Sequence, residues 1–122
     1  MDFYLLVEDN DIDIYINEAV MKYCGIDDFR TFKSIREAWD FLKNADWPKV
    51  IALVSLTTLL GTDWKLSGLL KKPEEFKGEL EIYVLSSSFR MDIGELYMYT
   101  EFKGFIEKPL TVEKATLIIS EK

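Results

Sequence analysis

Glu8 and Asp9 set two carboxylates side by side, Ser55 closes an apolar run, Ser86, Ser87 and Ser88 line up three hydroxyls, and Lys108 precedes Pro109. Adjacent carboxylates offer hard oxygen ligands to Mg²⁺, while an ammonium and hydroxyls bind phosphate oxygens. Gathered at one rim, these groups would make a site for a divalent cation and a phosphoryl group. Ser55 raises a question of its own. It ends "VIALVS" (50–55), the first half of a run to Thr62 that holds no charged side chain. A buried strand of that kind delivers a hydroxyl where it emerges. The chain has no histidine, which removes Ser-His and Cys-His catalysis, histidine-ligated metals and phosphohistidine.

The hydrophobic pattern names the elements that must position these residues. "FYLLVE" (3–8) is an apolar run of strand length. Ile12, Tyr15, Ile16, Ala19, Val20 and Tyr23 then recur at spacings of three and four, the stripe of an amphipathic helix over 11–23 that Gly25 stops. "FRTF" (29–32) reads as a second strand. Ser34 with Glu37 forms a capping box for a helix facing inward through Ile35, Ala38, Trp39 and Leu42. "VIALVS" is the third strand, followed by a loop and by a helix from near Trp64 to before Pro73, with Leu66, Leu69 and Leu70 inward. "EIYVLS" (81–86) is the fourth strand, and Asp92 caps a short fourth helix through Ile93, Leu96 and Tyr97. "GFIE" (104–107) is the fifth strand, and Thr111 opens a fifth helix with Val112, Ala115, Leu117, Ile118 and Ile119.

Near-continuous apolar strands separated by helices imply a parallel sheet covered on both faces, a doubly wound α/β sandwich. Ligand sites in such sheets lie beyond the carboxyl ends of the strands. Strand 1 delivers Glu8 and Asp9 there, strand 3 Ser55, strand 4 Ser86 to Ser88, and strand 5 Lys108 and Pro109.

Composition narrows the function classes. The 122 residues suit one domain over 1–122, and 48% apolar with 14% aromatic content exceeds what a disordered chain carries. No apolar run approaches the roughly 18–20 residues that span a membrane, and no basic patch precedes an apolar stretch at the N-terminus. The single Cys24 excludes an internal disulfide and fits a reducing, cytoplasmic compartment, with a packing role near a helix end. Fifteen Lys and Arg against 22 Asp and Glu leave a net charge of −7. Phosphate backbones are bound by basic side chains, so neither nucleic acid nor a membrane is an expected partner.

"LLVEDN" (5–10), "VLSSS" (84–88) and "GFIEKPLT" (104–111) together resemble a response-regulator receiver domain of two-component signalling, the CheY-like family, over essentially the whole chain. The resemblance implies a flavodoxin-like, CheY-like three-layer sandwich with a five-stranded parallel sheet in the order 2-1-3-4-5. It implies Glu8 and Asp9 as the acids that hold Mg²⁺, Ser86 as the hydroxyl that binds an attached phosphoryl group, and Phe105 as the switch aromatic. It implies Lys108 as the lysine that pairs with the phosphoryl oxygen, and a cis Lys108-Pro109 peptide. Receivers end strand 3 in a phosphoacceptor aspartate and continue toward a Met-Pro and an Asp-Gly. Here the run is "LVSLTTLLGTDW" (53–64): Ser55 or, in another alignment, Val54 takes the acceptor position, Thr58-Leu59 replaces Met-Pro, and Trp64 follows Asp63.

The expectation is therefore a stand-alone pseudo-receiver, with no output domain attached, that acts through protein–protein contact without aspartyl phosphorylation and is no enzyme. No cofactor is required beyond weak Mg²⁺ at most, and Lys108 should find Asp9 or a backbone carbonyl as partner. The implied partners are a histidine kinase or another regulator, through the helix 4–strand 5–helix 5 face, with a homodimer also open. Alternatives are phosphotransfer through another acid such as Asp63, or a flavodoxin-like small-ligand binder; the latter lacks a Gly-rich phosphate loop after strand 1. Blander roles stand beside each assignment: residues 8–11 as a helix-capping loop, Ser86 to Ser88 as a polar turn, Lys108 as a surface lysine and Phe105 as core.

Overall fold

Five short segments hydrogen-bond side by side in parallel: β1 (Asp2–Val7), β2 (Phe29–Phe32), β3 (Lys49–Ser55), β4 (Glu79–Ser86) and β5 (Gly104–Glu107), in the order β2-β1-β3-β4-β5. The computed structural model describes residues 2–60, 72–87 and 102–120. Between the strands run α1 (Asp11–Tyr23), α2 (Ile35–Leu42), α3 (Leu56–Leu60) and α4 (Val112–Ser120). This is the expected flavodoxin-like, CheY-like α/β fold. Two expected helices, the one from Trp64 and the one capped by Asp92, lie outside the described residues, apart from their flanks.

Successive side chains of a strand point to opposite faces, and both faces here are apolar. Phe3, Leu5, Val7, Val50, Ala52, Val54, Ile82 and Val84 face one way, onto Ile35, Ala38, Trp39 and Leu42 of α2 and Leu56 and Leu59 of α3. Tyr4, Leu6, Ile51, Leu53, Tyr83 and Leu85 face the other way, onto Met21 of α1 and Ala115 and Ile118 of α4. The α2 stripe is the one read from the sequence, and Ser34 Oγ accepts the Glu37 N–H at 3.1 Å as its cap. Gly25, at φ 77°, ends α1: its N–H donates to Lys22 O and that of Ile26 to Met21 O, a Schellman closure.

Two helix faces differ from the sequence reading. In α1, Ile12, Tyr15 and Tyr23 are 71%, 75% and 80% exposed, and the buried residues are Asn17 and Met21, with Val20 and Cys24 packing beside them. Polar anchors on either side set this rotation. Asp13 Oδ2 meets Lys108 Nζ at 2.9 Å and Glu18 Oε2 accepts from Thr31 Oγ1 at 2.6 Å, and Asn17, between them in sequence, turns inward. An apolar count cannot register an inward asparagine. In α4, Leu117 is likewise exposed. The segment after β3 is also not a loop: α3 begins directly at Leu56 because Leu56 and Leu59 complete the core under it.

The rotation of α1 is testable by urea denaturation. Met21→Ala should cost about 2–4 kcal/mol for a lost buried side chain, whereas Tyr15→Ala should stay within about 0.5 kcal/mol of the parent. Equal costs would return the helix to the orientation its apolar stripe suggests.

Candidate functional site

The parallel registers bring the expected residues to one end of the sheet. Val7 lies opposite Val54 and Ser55 opposite Leu85, so Glu8 and Ser55 leave β1 and β3 side by side. Ser86 lies opposite Glu107, and Lys108 follows immediately. Of the two acceptor alignments, Val54 is part of the core and Ser55 sends its hydroxyl into the site.

Lys108 is the centre of that site. Its ammonium donates to Glu8 Oε1 at 2.8 Å, Asp13 Oδ2 at 2.9 Å and Ser55 Oγ at 3.1 Å, one oxygen for each of its three protons. Its own backbone N–H donates to Ser86 O at 2.7 Å, and the Lys108-Pro109 peptide is cis, as the resemblance implied. The expected partners of Lys108, Asp9 or a carbonyl, are thus replaced by Glu8 and Asp13. Asp9 Oδ1 instead accepts from Thr58 Oγ1 at 3.1 Å. Ser55 Oγ also lies 3.1 Å from Thr57 Oγ1.

Strand alternation explains this division. Glu8 continues the parity of Tyr4 and Leu6, Ser55 that of Ile51 and Leu53, and Lys108 that of Ile106, all facing the α1–α4 layer. Asp13 reaches them from α1. Asp9 continues the parity of Phe3, Leu5 and Val7 and finds α3 instead. Phe105 shares that side, half-buried against the same core and edge-on to Phe102 at 5.5 Å. Ser86 is buried and lines, with Ser55, Thr57, Ser87 and Lys108, a cleft of about 30 Å³, room for about one water molecule. Beside it opens a wider hollow of about 430 Å³ bordered by Asp9, Asp13, Thr57, Ser87 and Lys108. Asp63 lies outside the described residues.

The loop between β1 and α1 does two jobs. Asn10 Oδ1 caps α1 by accepting the Ile12 and Asp13 N–H groups, each at 3.0 Å. Glu8 belongs to the interior, 1% exposed, with Oε2 accepting the Asn10 N–H at 3.2 Å. Burial by itself would lower the pKa of Lys108, but the hydrogen bonds to Glu8 and Asp13 and the charges behind them outweigh it and raise the value above that of an ordinary lysine. Glu8 and Asp9 are the residues that would hold a divalent cation. Glu8 already accepts the ammonium on one carboxylate oxygen and the loop N–H on the other, and no group of three or more acidic, His or Cys ligands is positioned for a metal among the described residues. Sequence reasoning missed Asp13 and Thr58. An acid in the first turn of a helix reads as a dipole or capping residue, and five positions after Glu8 nothing local marks it as a partner of Lys108.

Solved structures of similar fold include receivers. The chain is similar to a response regulator receiver protein from Dyadobacter fermentans (19% identity, 98% of this chain and 95% of that chain, TM-score 0.77). It is similar to a two-component response regulator from Legionella pneumophila (19%, 98% and 95%, TM-score 0.78). A third is the receiver domain of a Pseudomonas aeruginosa sensor histidine kinase with magnesium coordinated in its active-site cleft (15%, 97% and 93%, TM-score 0.74). No protein-family model matches the chain, and no curated protein matches it in sequence. Likeness of this kind establishes the receiver-type fold.

Breaking the Lys108 cluster should be costly, because Glu8 would remain as a buried, unpaired charge. Lys108→Met is expected to lose about 3 kcal/mol in chemical denaturation near neutral pH. The raised lysine pKa fixes the sign of the pH dependence: the stabilisation is complete below the ordinary lysine pKa of about 10.4 and is lost as pH rises through the higher folded value. The stability gap between parent and Lys108→Met should therefore close in alkaline buffer; a gap that stays constant to the alkaline limit would show that the ammonium is not its source.

Proposed function

We propose that this chain is a receiver-type signalling module that works by protein contact and forms no aspartyl phosphate. The observation that carries this reading is the occupancy of the strand-end position: Ser55, fully buried, presents a hydroxyl there, 3.1 Å from the Lys108 ammonium. An acyl phosphate needs a carboxylate. A serine hydroxyl needs a base to become nucleophilic, and a protonated lysine with a raised pKa is the opposite of a base. Lys108 is paired with two carboxylates, Glu8 and Asp13. Mg²⁺ would have to compete with it for Glu8 at a site one carboxylate short, so binding is weak and no cofactor is required.

In this reading the protein is no enzyme, and its partners are a histidine kinase or another regulator, or a second copy of the chain. The helix 4–strand 5–helix 5 face expected from the sequence includes β5 and α4, where Leu117 stands 66% exposed; its helix 4 lies outside the described residues. Exposed Ile12, Tyr15 and Tyr23 add apolar surface on α1, which packs against α4.

Intact mass spectrometry after incubation with acetyl phosphate and Mg²⁺ tests the chemistry. The expected result is an unchanged mass. A base-labile adduct of one phosphoryl group on the parent protein would overturn the reading and move the acceptor to Asp9 or Asp63. Ser55→Asp should bind Mg²⁺ more tightly than the parent in calorimetric titration, since it adds an oxygen ligand, and should gain phosphorylation only in part.

A further inference from the structure

We propose that Asp13 is a positioning residue that supplies, from α1, the counter-charge to Lys108 that the end of β3 does not provide. The inference rests on the reading above only in taking Ser55 to stand in the acceptor's place.

The geometry is that of a three-sided cage around one ammonium. Glu8 closes it from β1, Ser55 from β3 and Asp13 from the first turn of α1, at 2.8, 3.1 and 2.9 Å. Of these three oxygens only the one from β3 is uncharged. A lysine side chain 14% exposed, held between a hydroxyl and a single carboxylate, would keep one full ion pair in a poorly hydrated place. The second carboxylate, itself 27% exposed, reaches in from the helix that covers this face of the sheet. Charge-assisted hydrogen bonds of this kind are the strong ones. The cost to the rest of α1 is visible: with Asp13 turned to Lys108 and Asn17 turned inward behind it, Ile12, Tyr15 and Tyr23 are left in solvent. The contact also ties α1 to the turn after β5, elements 95 residues apart in sequence. The sheet end is thereby held with Lys108 turned into the site by Glu8, Asp13 and Ser55.

A plain alternative is that Asp13 only stabilises the start of α1, as acids in a first helical turn do. The two roles differ in whether the cost of losing Asp13 depends on Ser55 and Lys108. The experiment is denaturant unfolding, in EDTA to exclude divalent cations, of the parent, Asp13→Asn, Ser55→Asp and the double variant. Asp13→Asn should lower the folded-to-unfolded ratio of the parent on the order of tenfold, the scale of a hydrogen bond to a charged group. In the Ser55→Asp background the same change should cost severalfold less, because a carboxylate on β3 then pairs with Lys108. If Ser55→Asp does not fold, Lys108→Met serves: with no ammonium to neutralise, Asp13→Asn should be neutral or stabilising there, since it removes a carboxylate facing Glu8. A loss of equal size in all backgrounds would overturn the proposal and leave Asp13 as a helix-end acid. Failure of the functional reading would show separately, as a phosphoryl adduct in the mass spectrum, whatever the coupling.

Discussion

A charged carboxylate that is 1% exposed at the end of an apolar sheet is costly without a cation against it, and in this protein that cation is Lys108. The requirement propagates outward. To bring the ammonium within 2.8 Å of Glu8, the chain after β5 must turn back toward β1, and it does so with the Lys108 N–H anchored on Ser86 O. The ammonium's remaining protons then draw Asp13 and Ser55 to it, which sets the rotation of α1 and the direction of the Ser55 hydroxyl. The end of the sheet is thus a closed polar cluster whose donors and acceptors answer one another across four chain segments.

The sheet itself sorts the remaining polar residues. Because strand side chains alternate, two neighbours such as Glu8 and Asp9 are sent to opposite layers, one to the α1 side and one to α3. Adjacent acids in a sequence look like a pair, but here they have separate partners and separate exposures. The same rule sets Phe105 on the α2–α3 side, away from the lysine three positions later, while Ser86 lines a cleft with room for little more than water. Within the cluster the Lys108 ammonium is matched by Glu8 and Asp13, and among the described residues Ile12, Tyr15 and Tyr23 of α1 and Leu117 of α4 stand exposed outside it.

What the sequence by itself determined is what depends on local periodicity. The strand segments, the α2 stripe with its Ser34 cap, the Gly25 stop and the parallel, doubly wound sheet follow from short apolar runs, capping chemistry and the handedness of crossovers, while the order 2-1-3-4-5 was implied by the resemblance to receivers. The gathering of Glu8, Ser55, Ser86 and Lys108 at one end was legible for the same reason, since each closes a strand. Tertiary structure alone decided which of them touch. Lys108 chooses Glu8 and Asp13 over Asp9 because side-chain parity and the docking of α1 set those distances, and both are long-range facts. The inward face of α1 was hidden likewise: its buried members are Asn17 and Met21, neither on the apolar stripe, and the partners of the polar anchors Asp13 and Glu18 that accompany this rotation lie on other elements of the fold. Residue types name the groups available at a site; only packing assigns each charge its partner.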